Sequence, residues 1–218
     1  MDEPYRGTVT IEWRDIWTTV SRELSEHDTA GLQALLTEDV VRFATVRALA
    51  RRGVSPAELH TEWRAAGPAI DLAVGEPVHT AVEFKFPREP HERNAAWTQH
   101  LGELLKDFFR LAHLPASVSE RWCVQVVSER LRRYLEGVRT NHGLHLGMSA
   151  GEVTVIRPDI HQALPRTASD QLAAWSKHTG VVTARCTQVL DAGAGLRLVI
   201  HSVEHAEGLP FGASPGRL

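Results

Sequence analysis

Only two of the 218 residues are cysteine, Cys123 and Cys186, and only three are lysine, Lys85, Lys106 and Lys177. Two thiols are too few for a disulfide framework or a Cys-based zinc site. Long apolar runs are missing too, none approaching the roughly 18–20 residues of a membrane helix. The first sixteen residues carry Asp2, Glu3, Arg6, Glu12, Arg14 and Asp15, which leaves no room there for a signal-peptide apolar core. The expectation is a cytoplasmic protein with reduced thiols and no membrane association. Charge of one sign is lacking as well. The 24 Lys and Arg against 27 Asp and Glu leave a net charge of −3, unlike the basic balance of many nucleic-acid binders. Local patches rather than net charge make such contacts, however. With lysine so rare, each lysine in a polar cluster is informative.

What is present reads as one soluble globular domain, 43% hydrophobic and 23% charged. Residues 9–36 suggest a helical hairpin with Trp13, Ile16, Trp17, Val20 and Leu24 on one face. Thr37 is a good N-cap for a helix running to Gly53, apolar almost all round from Val40 to Ala50 and therefore expected to be buried. The period then changes. A weak strand at 58–65 and a β-like run at 69–74 precede the turn Gly75-Glu76-Pro77. His79 to Phe86 then alternates cleanly, with Val82, Phe84 and Phe86 on one face and Ala81, Glu83 and Lys85 on the other. An amphipathic helix over 94–112 places Trp97, Leu101, Leu104, Phe108 and Leu111 in its stripe, and Gln99, Glu103, Lys106 and Arg110 on its polar face. A central strand at 122–127 and an arginine-rich helix at 129–138 follow. Beyond Thr140 the pattern predicts a strand at 152–156, a helix at 169–178, a hairpin of 181–190 with 196–203, and a frayed tail. The expected fold is α/β, a mixed sheet flanked by helices in the order helix, three strands, helix, strand, helix. In this division 1–36 is an N-terminal helical extension, 37–140 the core, and 141–218 a C-terminal helix and hairpin packed on the same domain.

A tight turn between the two strands makes an antiparallel hairpin, which brings Asp71 near Glu83, with Lys85 on the same face two residues on. Two converging carboxylates suit a hard cation such as Mg²⁺ or Mn²⁺, which takes one or two carboxylates plus waters and phosphate oxygens. A neighbouring ammonium can hold a water and offset developing negative charge. An Asp on one strand followed by E-x-K on the next, between helices in this order, resembles the PD-(D/E)xK nuclease superfamily, the restriction-endonuclease-like fold. The resemblance covers about residues 37–138, and the proline often found directly before the aspartate is replaced here by Ile70.

The resemblance implies a Mg²⁺-dependent DNA endonuclease, by analogy in restriction or phage defence. Asp71, Glu83 and the backbone carbonyl of Phe84 would hold the metal, Lys85 would orient the nucleophilic water, and the product would carry a 5′-phosphate. It further implies roles for Glu38, on the first core helix, and for Gln99, on the helix after E-x-K. Glu38 next to Thr37 is equally a helix N-terminal charge. Alanine at Asp71, Glu83 or Lys85 is expected to abolish cleavage and leave the fold intact. Arg47 and Arg51 on one side, and Arg88 and Arg93 on the other, are candidates for DNA phosphate contacts. A double-strand cutter of this kind needs two sites, which would bring in a homodimer or a partner subunit. The alternative is a non-catalytic DNA- or protein-binding module within a larger complex. A third reading, a small-molecule enzyme with zinc on His142 and His145, lacks the further ligands zinc requires.

Overall fold

The computed structural model describes residues 11–65, 68–87, 95–173 and 180–206. Its helices are α1 (Trp13–Thr29), α2 (Glu38–Arg51), α3 (Ala95–Ala112), α4 (Glu129–His142) and the short α5 (Arg166–Gln171). Its strands are β1 (Leu59–Trp63), β2 (Ile70–Gly75), β3 (Val78–Lys85), β4 (Glu120–Ser128), β5 (Val153–Ile156), β6 (Val182–Asp191) and β7 (Leu196–Val203). They form one mixed sheet in the order β1-β2-β3-β4-β7-β6-β5. Every described pairing is antiparallel except β3 with β4, which is parallel. A parallel pair needs a crossover, and α3 supplies it.

Helices cover both faces. Under α1 and α2, Trp17, Val20, Leu24, Val41 and Leu49 pack on Leu72, Val82, Phe84, Val124 and Leu198. Under α3 and α4, Leu101, Leu105, Phe108, Leu131 and Leu135 pack on Ala81, Cys123, Val127 and Val199. The alternation of β3 from Ala81 to Phe84 thus sends Val82 and Phe84 to one layer and Ala81 to the other. Trp13, Trp17 and Trp122 form one cluster, with ring centroids 5.0–6.1 Å apart, that fastens α1 to β4.

Two glycines set distances that matter for the site. Gly75, at φ +107°, closes the β2–β3 turn where a Cβ would stand 2.4 Å from the His79 ring. Gly102 lets α3 approach α5, since a Cβ would lie 2.8 Å from Ala168 Cα.

The sequence expectations differ from the fold at three places. Residues 30–36 hold a short 3₁₀ turn (Gln33–Leu35) rather than a second helix, because Gly31 turns the chain at φ +72° and too few residues remain. α2 is buried on one face only. Phe43 is 61% exposed, because an outer-layer helix meets the sheet along a single stripe and nothing covers its far side among the described residues. The C-terminal hairpin β6–β7 pairs through β7 with β4, so it extends the same sheet. The remainder of the helix expected at 169–178 runs into residues 174–179, outside the described residues, as do 207–218.

A buried polar pair links this extension to the core. His201 on β7 is 1% exposed, and its Nε2 lies 2.6 Å from the Gly147 carbonyl while Nδ1 faces Gln125 Nε2 at 3.3 Å. Burial holds its pKa down at about 4, below its ordinary 6.5. The unfolded chain then takes up a proton that the fold refuses. This contribution to stability is present above about pH 6.5 and is lost as pH falls toward 4, by about 3 kcal/mol. Urea unfolding at pH 7 and pH 4 should show a drop smaller by about that amount in His201→Gln. An equal drop in both proteins would rule His201 out as its source.

Candidate functional site

The β2–β3 register sets Leu72 opposite Val82, so Asp71 lies across from Glu83. Asp71 Oδ2 accepts the Phe84 backbone N–H at 2.7 Å, which anchors the half-buried carboxylate at the hairpin. Glu83 is fully buried, and neither carboxyl oxygen has a hydrogen-bond donor aligned with it. Arg110 on α3 stands 2.9 Å from Glu83 Oε1 as an ion pair, while the same Nη2 donates to the Ala69 carbonyl. Lys85 Nζ reaches Asp107 Oδ2 at 3.2 Å, and Arg110 Nη1 reaches Asp107 Oδ1, also at 3.2 Å. Asp107 is wholly buried. Glu38, in the first turn of α2 behind the Thr37 N-cap, belongs to the same group, because its carboxyl feels Lys85, Asp71 and Asp107.

These positions shift the titrations. Burial drives Glu83 well above the ordinary carboxylate range; the charges of Asp107 and Asp71 push further, against Arg110. Asp107 is raised by burial, with Lys85 and Arg110 pulling the other way. Burial likewise raises Glu38, partly offset by Lys85. Burial would lower Lys85, yet the surrounding acids, Asp107 foremost, hold its ammonium above the ordinary value. Four carboxylates therefore face two cations within ion-pair reach, Lys85 and Arg110, with Lys106 adding only its field at Asp107. Arg42 contributes only through its field at Asp71, since its guanidinium is bound to Glu62 and Asp39. The group is short of positive charge, and either a proton or an added cation makes up the difference.

The donor set is all oxygen, which fits a hard divalent cation held by two carboxylates and water. Among the described residues, no group of three or more His, Cys, Asp or Glu is arranged to hold a metal ion. His142 Nδ1 is instead paired with the Ala163 carbonyl at 2.9 Å, and His145 lies 4.0 Å from Glu152.

The structure thus brings together Asp71, Glu83, Lys85 and Glu38. Gln99 stands apart, exposed on α3 with its Nε2 donating to Glu103 at 2.9 Å. Arg47 is tied to Glu23 of α1, and Arg51 is exposed at the end of α2. Arg88 and Arg93 lie outside the described residues. Asp107 and Arg110 are the members that sequence reasoning missed. The available signal was Asp107 three residues after Leu104 and four before Leu111, a carboxylate inside the apolar stripe of α3.

The group opens at the carboxyl ends of the parallel strands β3 and β4, where α/β sheets commonly bind ligands. A cleft of about 230 Å³ lies there between α2, α3 and α4, with Lys85 and Glu38 in its wall. Comparison with protein-family models, curated proteins and solved structures finds no match for this chain.

Proposed function

We propose that the protein is a metal-dependent phosphodiester hydrolase acting on DNA, built as a restriction-endonuclease-like core. One observation carries this reading: the fully buried Glu83, without an aligned donor, faces Asp71 across a hairpin that also presents Lys85. The order α2, β1, β2, β3, α3, β4, with the β3–β4 pair parallel, supports the finer fold assignment.

Asp71 and Glu83 would hold Mg²⁺ or Mn²⁺. The bound ion would polarise a phosphoryl oxygen and make its water more acidic. Lys85 orients the attacking water, and Asp107 fixes the ammonium by its ion pair at 3.2 Å. Arg110 keeps Asp107 and Glu83 in register from the α3 side. The new P–O bond would form from water, which gives up a proton to solvent, as the P–O3′ bond breaks and O3′ takes up a proton, leaving a 5′-phosphate and a 3′-hydroxyl.

Arg110 also favours a second reading. Its guanidinium already stands at Glu83, as a permanent internal cation would in a non-catalytic DNA- or protein-binding module. Incubation of plasmid, linear and single-stranded DNA with Mg²⁺ or Mn²⁺ separates the two. Cleavage that EDTA stops and Asp71→Asn lacks is the expected result. DNA binding without cleavage in either metal would move the module reading ahead.

A further inference from the structure

The cleft beside Lys85 contains a polar atom whose orientation is fixed from behind. The Gly147 carbonyl can only accept, so His201 Nε2, 2.6 Å away, carries the hydrogen. A neutral ring then leaves Nδ1 as a bare acceptor, and the Gln125 amide must turn its NH₂ toward it, at 3.3 Å. What Gln125 has left is its second N–H and, on the side of the amide away from His201, the amide oxygen that serves the cleft it lines. Gln125 is 2% exposed and pairs in register with Lys85, so this acceptor is rigid and next to the ammonium.

One side of the wall is apolar, with Phe86 from the end of β3 and Leu131 and Leu135 from α4, and the rest is polar. A volume of about 230 Å³ falls below the roughly 300–1,000 Å³ of whole-ligand sites, so the cleft takes one ring system of a larger ligand. Glu38 and Glu103, also on the cleft, disfavour a phosphate inside it. Lys106 lines the cleft as well and adds its charge beside Asp107, which suits a backbone passing that side.

We propose that this cleft is a pocket for one unpaired nucleobase, read by the Gln125 amide oxygen through a base N–H. The inference rests on the hydrolase reading and names its substrate: single-stranded or locally opened DNA, with the base of the nucleotide beside the scissile phosphate turned into the cleft. A paired base is stacked within the duplex and must be unpaired or flipped to enter such a pocket.

Fluorescence anisotropy in EDTA tests this without cleavage. The probes are a single strand, the duplex of the same sequence, and a strand in which every nucleotide is abasic. Wild type is expected to bind the single strand about tenfold more tightly than either other probe, in line with the worth of one stacked base. Gln125→Leu, checked for folding by circular dichroism, should bring the ordinary and abasic strands close to parity. Equal or tighter binding of the duplex or the abasic strand by wild type overturns the pocket, as does no binding to any probe. These wild-type comparisons stand even if the variant does not fold. Base discrimination without metal-dependent cleavage would keep the pocket and sink the hydrolase, whereas cleavage with duplex preference would do the reverse.

Discussion

Glu83→Gln is expected to raise the thermal stability of the protein while abolishing its metal-dependent activity. The glutamate is fully buried without an aligned donor, and burial with the nearby charges of Asp107 and Asp71 raises its pKa well above the ordinary value. For a carboxyl raised by folding, the stabilising contribution is complete below the unfolded value near 4.5 and is lost as pH rises through the folded value. Above the ordinary carboxylate range Glu83 therefore costs stability, as proton uptake or as a poorly compensated charge, that the amide does not. A gain of about 1–2 kcal/mol at pH 8 follows, and a chain of this length converts each kcal/mol into roughly 2–4 °C of Tm. The gain should vanish near pH 4. Arg110 gives up one partner in the variant but keeps Asp107 and the Ala69 carbonyl. Mn²⁺ should raise the Tm of wild type by mass action and leave the variant unmoved. A variant less stable than wild type at pH 8, or equally stabilised by Mn²⁺, would contradict the shortage of positive charge at this site. Stability given up at a functional cluster is a common trade.

The hairpin at the centre of this argument was legible because its information is local. A period-two pattern, a turn glycine and an adjacent proline define β2 and β3, and pairing across a tight turn places Asp71 near Glu83 without reference to the rest of the chain. Asp107 was not legible for the opposite reason. Its place in the apolar stripe turns it toward the sheet, but only the seating of α3 over β3 shows that this carboxylate meets Lys85 there. Arg110 falls on the polar face of the helix, yet its side chain is 14% exposed and reaches back to Glu83. Gln99 had the residue type that the resemblance asks for, but the rotation of α3 turns it outward to Glu103. Arg47 needed the packing of α1 on α2 before its partner Glu23 could be seen. The insertion of β7 between β4 and β6 is long-range pairing that no local pattern encodes, and with it came the His201–Gln125 contact.

Lys85→Met should cost activity and fold together, contrary to the sequence-based expectation of an intact fold after alanine substitution there. Asp107 is wholly buried, and the Lys85 ammonium at its Oδ2 is one of its two compensations, each at 3.2 Å. Removing one partner of a buried ion pair leaves an uncompensated charge, typically at about 3–5 kcal/mol. Arg110 still holds Oδ1, so the lower end of that range, about 3 kcal/mol, applies. The residual carboxylate can also take up a proton, which makes the loss larger at pH 8 than at pH 5. Asp107→Asn in the Lys85→Met background removes the orphaned charge and should restore most of the lost stability. It cannot restore the ammonium that orients water, so cleavage stays absent. Urea unfolding of wild type, both single variants and the double variant completes the cycle and isolates the pair's coupling. Lys85→Met with wild-type stability would mean that the two charges are not coupled. A double variant that cuts DNA would mean that Lys85 takes no part in the chemistry.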